Sequence, residues 1–184
     1  MTMMKRTAAI LLLLLSSSAA AAQSPPPVNG TVALEGNMKK FYGAVNVVVV
    51  TTIDGVEHVY QFAKDLIVHG GKHPGPDALA DLHDGTTVVV HYRVAGTQQA
   101  ADEIDVVEGL SVTEAKVVHI DRRHRRITVR HYDGRTETFE LTERAAAEAS
   151  RTVEPSASEG VEIVVYYSNE AGRKVVHYFR RATT

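Results

Sequence analysis

The chain has 184 residues, a formal net charge of −2, and neither cysteine nor tryptophan. The lack of cysteine excludes disulfides, a lipid-anchored cysteine, thiolate catalysis and cysteine metal sites, so that buried apolar surface must supply the stability. Residues 23–110 hold 5 basic and 11 acidic residues, whereas residues 111–184 hold 13 basic and 11 acidic residues. We interpret this difference as ordinary solvated surface; the sharper hypothesis is that the halves attract each other, or that only the second meets an anionic partner.

Residues 1–22 have the pattern of a secretory signal peptide. A basic start precedes an apolar run over residues 8–15 and a small-residue end over residues 16–22. The run is far shorter than the roughly 20 residues of a membrane-spanning helix, so no transmembrane segment is expected. We predict cleavage after Ala22 and a periplasmic or secreted protein. Residues 23–27 (Gln-Ser-Pro-Pro-Pro) then form a stiff, solvated leader.

The remaining chain contains the same pattern twice. The aligned pairs are Val50 with Val129, Asp54 with Asp133, Gly55 with Gly134, Gly85 with Gly160, Val88 with Ile163, Val90 with Val165, and Tyr92 with Tyr167. Self-similarity within so short a chain predicts two copies of one small β-unit. We place the copies at residues 28–108 and 111–184.

Five strands are predicted in the first copy from valine-rich or alternating segments bounded by glycine turns. They cover residues 31–34, 44–52, 56–62, 86–93 and 100–107. Gly36 and Asn37 indicate a turn after the first strand. A Gly- and Pro-rich loop over residues 68–76 and one or two helical turns over residues 77–82 separate the third strand from the fourth.

The second copy repeats this order. Its strands are predicted at residues 115–120, 127–132, 136–141, 161–167 and 173–180. An alanine-rich helix over residues 143–151, with Thr142 as N-cap, lies between the third and fourth strands. The chain is therefore predicted to be all-β: two tandem five-stranded small barrels, OB-like or SH3-like, each with a short helix between strands 3 and 4.

The turn and core positions also carry a family resemblance. They are Val117, Ile120, Asp121, Ile127, Thr128, Val129, Arg130, Asp133, Gly134, Gly160, Val165 and Tyr167. This pattern resembles the small β-barrel domains of uncharacterised exported bacterial proteins. The resemblance implies a small-barrel fold and an exported location, and it carries over no catalytic residue.

Three of the nine histidines, His69, His73 and His83, fall in one loop-and-helix region of the first copy. Imidazole groups beside carboxylates can bind Zn²⁺ or Cu²⁺. Glycines and a proline between these histidines forbid a regular helix that would align them. The two interpretations are a metal site of these three residues and, favoured by the spacing, exposed loop histidines with no cofactor.

A His-Tyr dipeptide recurs at residues 91–92, 131–132 and 177–178. Side chains alternate along a strand, so one member faces the core and the other faces away. The pattern Val88, Val90, Tyr92 predicts that the tyrosine is buried and His91 is exposed to solvent. The alternative is a sheet face lined by histidines that becomes charged below about pH 6.5.

The densest charge run lies at a predicted hairpin tip and consists of Arg122, Arg123, Arg125 and Arg126 around His124. Such a tip can bind an anionic polymer, and a charged turn also serves solubility. We do not expect nucleic acid as the partner, because the chain as a whole is not basic, has few stacking aromatics and carries an export signal.

No motif for nucleophilic or metal-dependent catalysis is present. We therefore predict an exported, non-enzymatic binding or interaction module, whose partner is an envelope protein, a small ligand or an anionic polymer. The first alternative is a periplasmic metal-binding protein that uses the loop histidines. The second is a hydrolase with an unrecognised carboxylate site; Asp102, Glu103 and Asp105 form the densest acidic cluster, and Asp81 and Asp84 form another.

Overall fold

The structure, a computed structural model, describes residues 32–152 and 160–182, with side chains described up to residue 149 in the helix that ends the first segment. The predicted signal peptide and Pro-rich leader lie outside the described residues. Within those residues, none of the helices has the length and apolar character needed to cross a bilayer.

The chain forms two closed five-stranded barrels in tandem. The first contains β1 (Val32–Tyr42), β2 (Val47–Thr51), β3 (Glu57–His69), β4 (Thr87–Ala95) and β5 (Gln98–Val106). The second contains β6 (Ser111–Asp121), β7 (Arg126–Arg130), β8 (Thr136–Leu141), α1 (Glu143–Thr152), β9 (Glu162–Glu170) and β10 (Arg173–Arg181). Short 3₁₀ helices lie at Gly43–Val45, Pro76–Asp81 and Val107–Gly109.

The two barrels share one strand order, which confirms the predicted fold class and duplication. The first is ordered β1-β2-β3-β5-β4 and closes between β4 and β1; the second is ordered β6-β7-β8-β10-β9 and closes between β9 and β6. In each, the third and fifth strands pair in parallel and the other neighbours are antiparallel. The helix between the third and fourth strands is the 3₁₀ helix Pro76–Asp81 in the first barrel and α1 in the second.

Alternating apolar side chains fill each barrel. The first core includes Val50, Tyr60, Leu79, Val88, Val90, Tyr92 and Ile104. The second includes Val117, Ile127, Val129, Phe139, Ile163, Val165 and Phe179. The predicted inward positions Val88, Val90 and Tyr92 are thus confirmed, and each core is closed by its own barrel.

Two strands of the first barrel extend well beyond their predicted bounds. Gly36 and Asn37 do not form a turn but lie within β1, where a Cβ on Gly36 would stand 2.6 Å from Val50 Cγ1, so a glycine allows close approach of β2. The third strand does not end at residue 62. It continues to His69, because its second half pairs in parallel with β5.

The second barrel covers the outward face of β4 and β5, and this corrects the predicted exposure of His91. His91 and Val89 lie on that outward face, yet both have 0% exposure. Contacts between the barrels include the Arg180 Nε–Glu35 Oε2 ion pair at 2.8 Å and the Tyr166 hydroxyl, which donates to Glu35 at 3.3 Å. A sheet with both faces covered buries side chains of both alternating sets.

Candidate metal centre at the junction of the barrels

Two carboxylates point outward from β5 toward the second barrel. Ile104 and Val106 face the core of the first barrel, so alternation directs Glu103 and Asp105 to the opposite face. Their side chains are only 5% and 0% exposed. Buried carboxylates are costly unless cations or hydrogen bonds compensate them, so their partners indicate what the junction can hold.

The end of β3 brings His69 beside these carboxylates. In the parallel pairing of β3 with β5, His69 is the register partner of Asp105. The chain then leaves at Gly70, which has a positive φ of 71° and packs against Gly109; a Cβ on Gly109 would stand 2.0 Å from the Gly70 carbonyl oxygen. This glycine–glycine contact holds the end of β3 against the segment that follows β5.

The second barrel supplies His177 from β10. Ser168 donates its single hydroxyl hydrogen to Glu170 (2.8 Å), so the 2.9 Å contact between Ser168 Oγ and His177 Nε2 requires Nε2–H as the donor. A neutral imidazole protonated at Nε2 presents the lone pair of Nδ1. That lone pair lies 3.7 Å from Asp105 Oδ1, which is also an acceptor.

The four residues offer a compact set of donor atoms. One ligand atom each from His69, Glu103, Asp105 and His177 lies within 4.8 Å of every other. His69 Nε2 and Glu103 Oε1 are 3.6 Å apart, similar to the His177–Asp105 spacing. Two donors of a tetrahedral Zn²⁺ bound at about 2.05 Å lie about 3.3 Å apart. The His69–Glu103 and His177–Asp105 pairs are within a few tenths of an ångström of that spacing, whereas the remaining donor pairs, up to 4.8 Å apart, would have to close by up to about 1.5 Å.

Three of these donor atoms have no hydrogen-bond partner within the described part of the chain. They are Glu103 Oε1, Asp105 Oδ1 and His177 Nδ1. Buried polar atoms are nearly always satisfied, and an orphaned one costs about 1–3 kcal/mol. Three orphaned lone pairs that converge on one point are stabilised by a cation placed between them.

The other oxygen of each carboxylate already faces a fixed cation. His91 donates from Nε2 to Asp105 Oδ2 (2.8 Å) and from Nδ1 to Glu148 Oε1 (2.9 Å). Burial disfavours charge on His91, but these two carboxylates outweigh it and raise its pKa to about 10. Arg144 Nε of α1 lies 2.8 Å from Glu103 Oε2.

Nearby charges set the protonation of the ligands. Burial, followed by the charge of Asp105, raises the pKa of Glu103. Burial also lowers the pKa of His177, which keeps its imidazole neutral. Because a divalent ion placed among these donors favours ionised Glu103 and neutral His177, binding is expected to release the proton that Glu103 retains at low pH.

The structure separates the three histidines of the predicted metal site. His69 belongs to the cluster, whereas His73 Nε2 lies 3.8 Å from Asp81 and His83 Nδ1 lies 2.5 Å from Thr86 Oγ1. Among the described residues, neither belongs to a group of three or more potential metal ligands. A site built from all three stays a prediction, and the geometry favours the cluster around His69.

The predicted polyanion site lies elsewhere. Arg122, Arg123, Arg125 and Arg126 are exposed at the hairpin between β6 and β7, which Asp121 stabilises by accepting from the His124 backbone amide (3.0 Å) and facing the His124 ring (2.7 Å). No structural feature identifies an anion there, so this site too stays a prediction. The densest acidic cluster is split, because Asp102 pairs with Arg93 (2.6 Å) instead of joining Glu103 and Asp105.

Sequence reasoning missed Glu103, Asp105 and His177 as candidate ligands. A signal exists for the histidine: residues 88–92 and 175–179 are apolar on both alternating sets apart from their histidine, which is typical of strands buried on both faces. Residues 101–107 contain three acidic residues and give no such signal for Glu103 and Asp105. A charged or imidazole side chain inside such a segment faces protein and not water. Which donors then meet depends on how the second barrel docks, and no local pattern encodes that.

Comparison with known proteins adds little to this geometry. No family model and no curated protein sequence matches the chain. A solved structure titled "Crystal structure of Ag(I)CusF" is similar to part of it, covering 42% of this chain and 99% of that one, with 8% sequence identity and a TM-score of 0.33. So distant a likeness carries no argument about the ligand.

Proposed function

We propose that this protein is an exported, non-enzymatic module that binds one divalent transition-metal ion of the Zn²⁺ type between two OB-like barrels. The ligands are His69, Glu103, Asp105 and His177. The observation that carries the proposal is the convergence of three buried lone pairs without hydrogen-bond partners on one point, within reach of a fourth donor. Export stays a prediction that rests on residues 1–22.

The donor set favours a divalent ion over a monovalent soft one. Two imidazoles and two carboxylates are ligands of borderline metals such as Zn²⁺ and Cu²⁺, whereas Cu⁺ selects thiolates and thioethers. The chain has no cysteine, and Met38 lies in the core of the first barrel, away from this group. Two ionised carboxylates also offset part of a +2 charge, although each already pairs with Arg144 or His91 through its other oxygen.

The arrangement fits tight retention of the ion. Three donors come from the first barrel and one from the second, and their surroundings are buried except at His69, which is 31% exposed. This edge is the side from which an ion can enter. Four protein donors around one ion leave no position for substrate, as in structural and storage sites, and this supports a non-enzymatic role.

The direct test is a calorimetric titration of the purified, chelator-treated protein with Zn²⁺. We expect one ion per chain. Asp105→Asn and His177→Ala should weaken binding by about 100-fold or more, since loss of an outer-shell group alone typically costs 10–100-fold. Circular dichroism of each variant shows whether the barrels remain folded.

The matched controls are His73→Ala and His83→Ala. Both remove loop histidines of the first barrel that lie outside the cluster, so both should bind Zn²⁺ like the wild type. Absence of Zn²⁺ binding by the wild-type protein would overturn the proposed function. Loss of binding in the two control variants, with His177→Ala unaffected, would instead move the site to the loop histidines.

A further inference from the structure

Among the described residues, a fixed cation pairs with one oxygen of each carboxylate ligand and leaves the other oxygen free of such a cation. Arg144 occupies Oε2 of Glu103, and the imidazolium of His91 occupies Oδ2 of Asp105. The opposite oxygens, Oε1 and Oδ1, are the ones directed at the other donors. Each carboxylate therefore offers a metal ion a single oxygen.

Both cations are themselves fixed. Arg144 Nη1 also lies 3.4 Å from Asp102 Oδ2, and His91 is fully buried with its second nitrogen bonded to Glu148. Rotation of Glu103 or Asp105 to bring both oxygens to one ion would break a buried charge-assisted hydrogen bond. Such bonds are among the strongest in proteins, so the one-oxygen geometry is costly to leave.

We infer that Arg144 and His91 are positioning residues that make the site selective for four-coordinate ions over oxygen-seeking ions of higher coordination number. This inference rests on the proposed function. Ca²⁺ takes six to eight oxygen ligands and often binds a carboxylate through both oxygens, and Mg²⁺ requires near-octahedral oxygen coordination. Two imidazoles and two carboxylates that each offer one oxygen suit Zn²⁺. They supply neither the many oxygens that Ca²⁺ needs nor the octahedral oxygen shell of Mg²⁺. Mn²⁺, which prefers carboxylate and water ligands, is disfavoured for the same reason.

Arg144 is a better residue to substitute than the fully buried His91, because it lies at the edge of the junction with a quarter of its side chain exposed. Arg144→Met keeps a long side chain but frees Oε2 of Glu103. The measured quantity is the ratio of the Mn²⁺ and Zn²⁺ dissociation constants, obtained by competition titration. We expect this ratio to fall by about 10-fold or more, the scale on which outer-shell groups tune metal sites.

The ratio of the Mn²⁺ and Zn²⁺ dissociation constants distinguishes an effect of carboxylate geometry from an effect of lost positive charge. Removal of a nearby positive charge strengthens binding of both divalent ions alike and leaves the ratio unchanged. Arg93→Met is the matched control, because Arg93 also pairs with Asp102 but contacts neither carboxylate ligand. It should leave the ratio at the wild-type value, and Arg144→Lys, which keeps one donor, should restore most of the selectivity.

Co²⁺ provides a spectroscopic readout of coordination number. The wild-type protein should give the intense visible absorption of tetrahedral Co²⁺, and Arg144→Met the weaker bands of a higher-coordinate ion. An unchanged ratio and spectrum in Arg144→Met, with normal Zn²⁺ binding by the wild type, would overturn this inference and leave the metal site intact. Failure of the wild type to bind Zn²⁺ would overturn the proposed function itself.

Discussion

His91 lies fully buried between Asp105 of the first barrel and Glu148 of the second. With both ring nitrogens donating, it carries a positive charge that compensates two buried carboxylates. Breaking a buried ion pair by removing one partner typically costs about 3–5 kcal/mol, because the remaining charge is left uncompensated. The stability of the metal-free protein should therefore depend on whether this imidazole is protonated.

The first prediction concerns pH. Because the pKa of His91 is raised from 6.5 to about 10, the folded protein keeps a proton that the unfolded chain releases above pH 6.5. The stabilisation is complete below pH 6.5 and is lost as the pH rises through about 10. In the presence of chelator, we expect the urea midpoint of the wild type to fall over this range and that of His91→Gln to fall much less.

His124→Gln is the control, since it removes an imidazole from the exposed hairpin between β6 and β7. The change of its urea midpoint between pH 6.5 and 10 should match that of the wild type. Equal pH slopes for the wild type and His91→Gln would show that the buried imidazole does not hold its proton in the folded state.

At this scale the sequence predicts the direction of a side chain better than its surroundings. Alternation along the fourth strand correctly separates Val88, Val90 and Tyr92 from His91. It says nothing of what covers the outward face, so the predicted solvent exposure of His91 is wrong. Two histidines of the recurring His-Tyr dipeptide show that the same local sequence can have different surroundings. His177 is buried at the junction, whereas His131 is only half-buried, with Glu137 at 3.0 Å.

Among the elements, the parallel pairing of β3 with β5 contributes most to the site. It places His69 opposite Asp105, and the close contact of Gly70 with Gly109 fixes where β3 ends. The sequence predicts both strands but ends the third at residue 62. A parallel pair is joined through a long connection, here residues 70–97, so no local hairpin signal extends β3 toward β5.

The second prediction tests this packing. In Gly109→Ala the new Cβ would stand 2.0 Å from the Gly70 carbonyl oxygen, so the loop beyond His69 must shift. We expect weaker Zn²⁺ binding, by about 10-fold or more, together with a lower melting temperature; a shift of even 1 Å in a supporting shell impairs a site. Calorimetric titration and thermal unfolding measure the two effects.

Gly96→Ala is the matched control. Gly96 lies in the turn between β4 and β5 with a φ of 64° and open space around its Cβ position. An alanine there costs about 1–2 kcal/mol for the left-handed conformation and should leave Zn²⁺ affinity unchanged. If both variants bind Zn²⁺ like the wild type, the glycine contact does not position His69.

α1 shows how much an element's role depends on its partner. The sequence predicts the helix and its cap, and the Thr142 Oγ1 accepts from the Ala145 amide at 3.1 Å as expected. Ala145 and Ala149 pack in the core of the second barrel, whereas Arg144 and Glu148, four residues apart on another face, reach the first barrel. The contacts of α1 with the first barrel become apparent only when the two barrels are packed together.

On the scale of the whole molecule, the junction joins an acidic barrel to a basic one. Residues 23–110 have a net charge of −6 and residues 111–184 a net charge of +2. Arg144 and Arg180 of the second barrel pair with Glu103 and Glu35 of the first, as expected if the halves attract each other. These pairs orient the barrels so that His177 reaches the donors on β3 and β5.

The duplication explains why the fold can be predicted from the sequence whereas the candidate metal site cannot. Aligned core and turn positions are shared by both copies, so they reinforce one pattern. The site uses positions where the copies differ: His91 of β4 aligns with Tyr166 of β9, and both lie at the junction. A repeat comparison discards such differences, although they are where a pair of barrels can acquire chemistry that neither has alone.

The third prediction is that Zn²⁺ stabilises both barrels together. At a free concentration 1,000 times its dissociation constant, an ion that binds only the folded state adds about 4.1 kcal/mol. For a chain of this size that corresponds to a rise of roughly 8–16 °C in melting temperature. Differential scanning calorimetry with Zn²⁺ and with chelator measures this shift, and an Mg²⁺ titration should produce little of it.

Hydrogen exchange shows whether the ion connects the barrels or stabilises only one. Three donors lie on β3 and β5 and the fourth on β10, so Zn²⁺ should slow amide exchange in β5 and in β10 of the wild type. In His177→Ala, any ion still held by the first barrel should protect β5 without β10. Protection of β5 alone in the wild type would contradict a shared site, because a ligand from β10 cannot hold the ion while that strand exchanges as freely as in the metal-free protein.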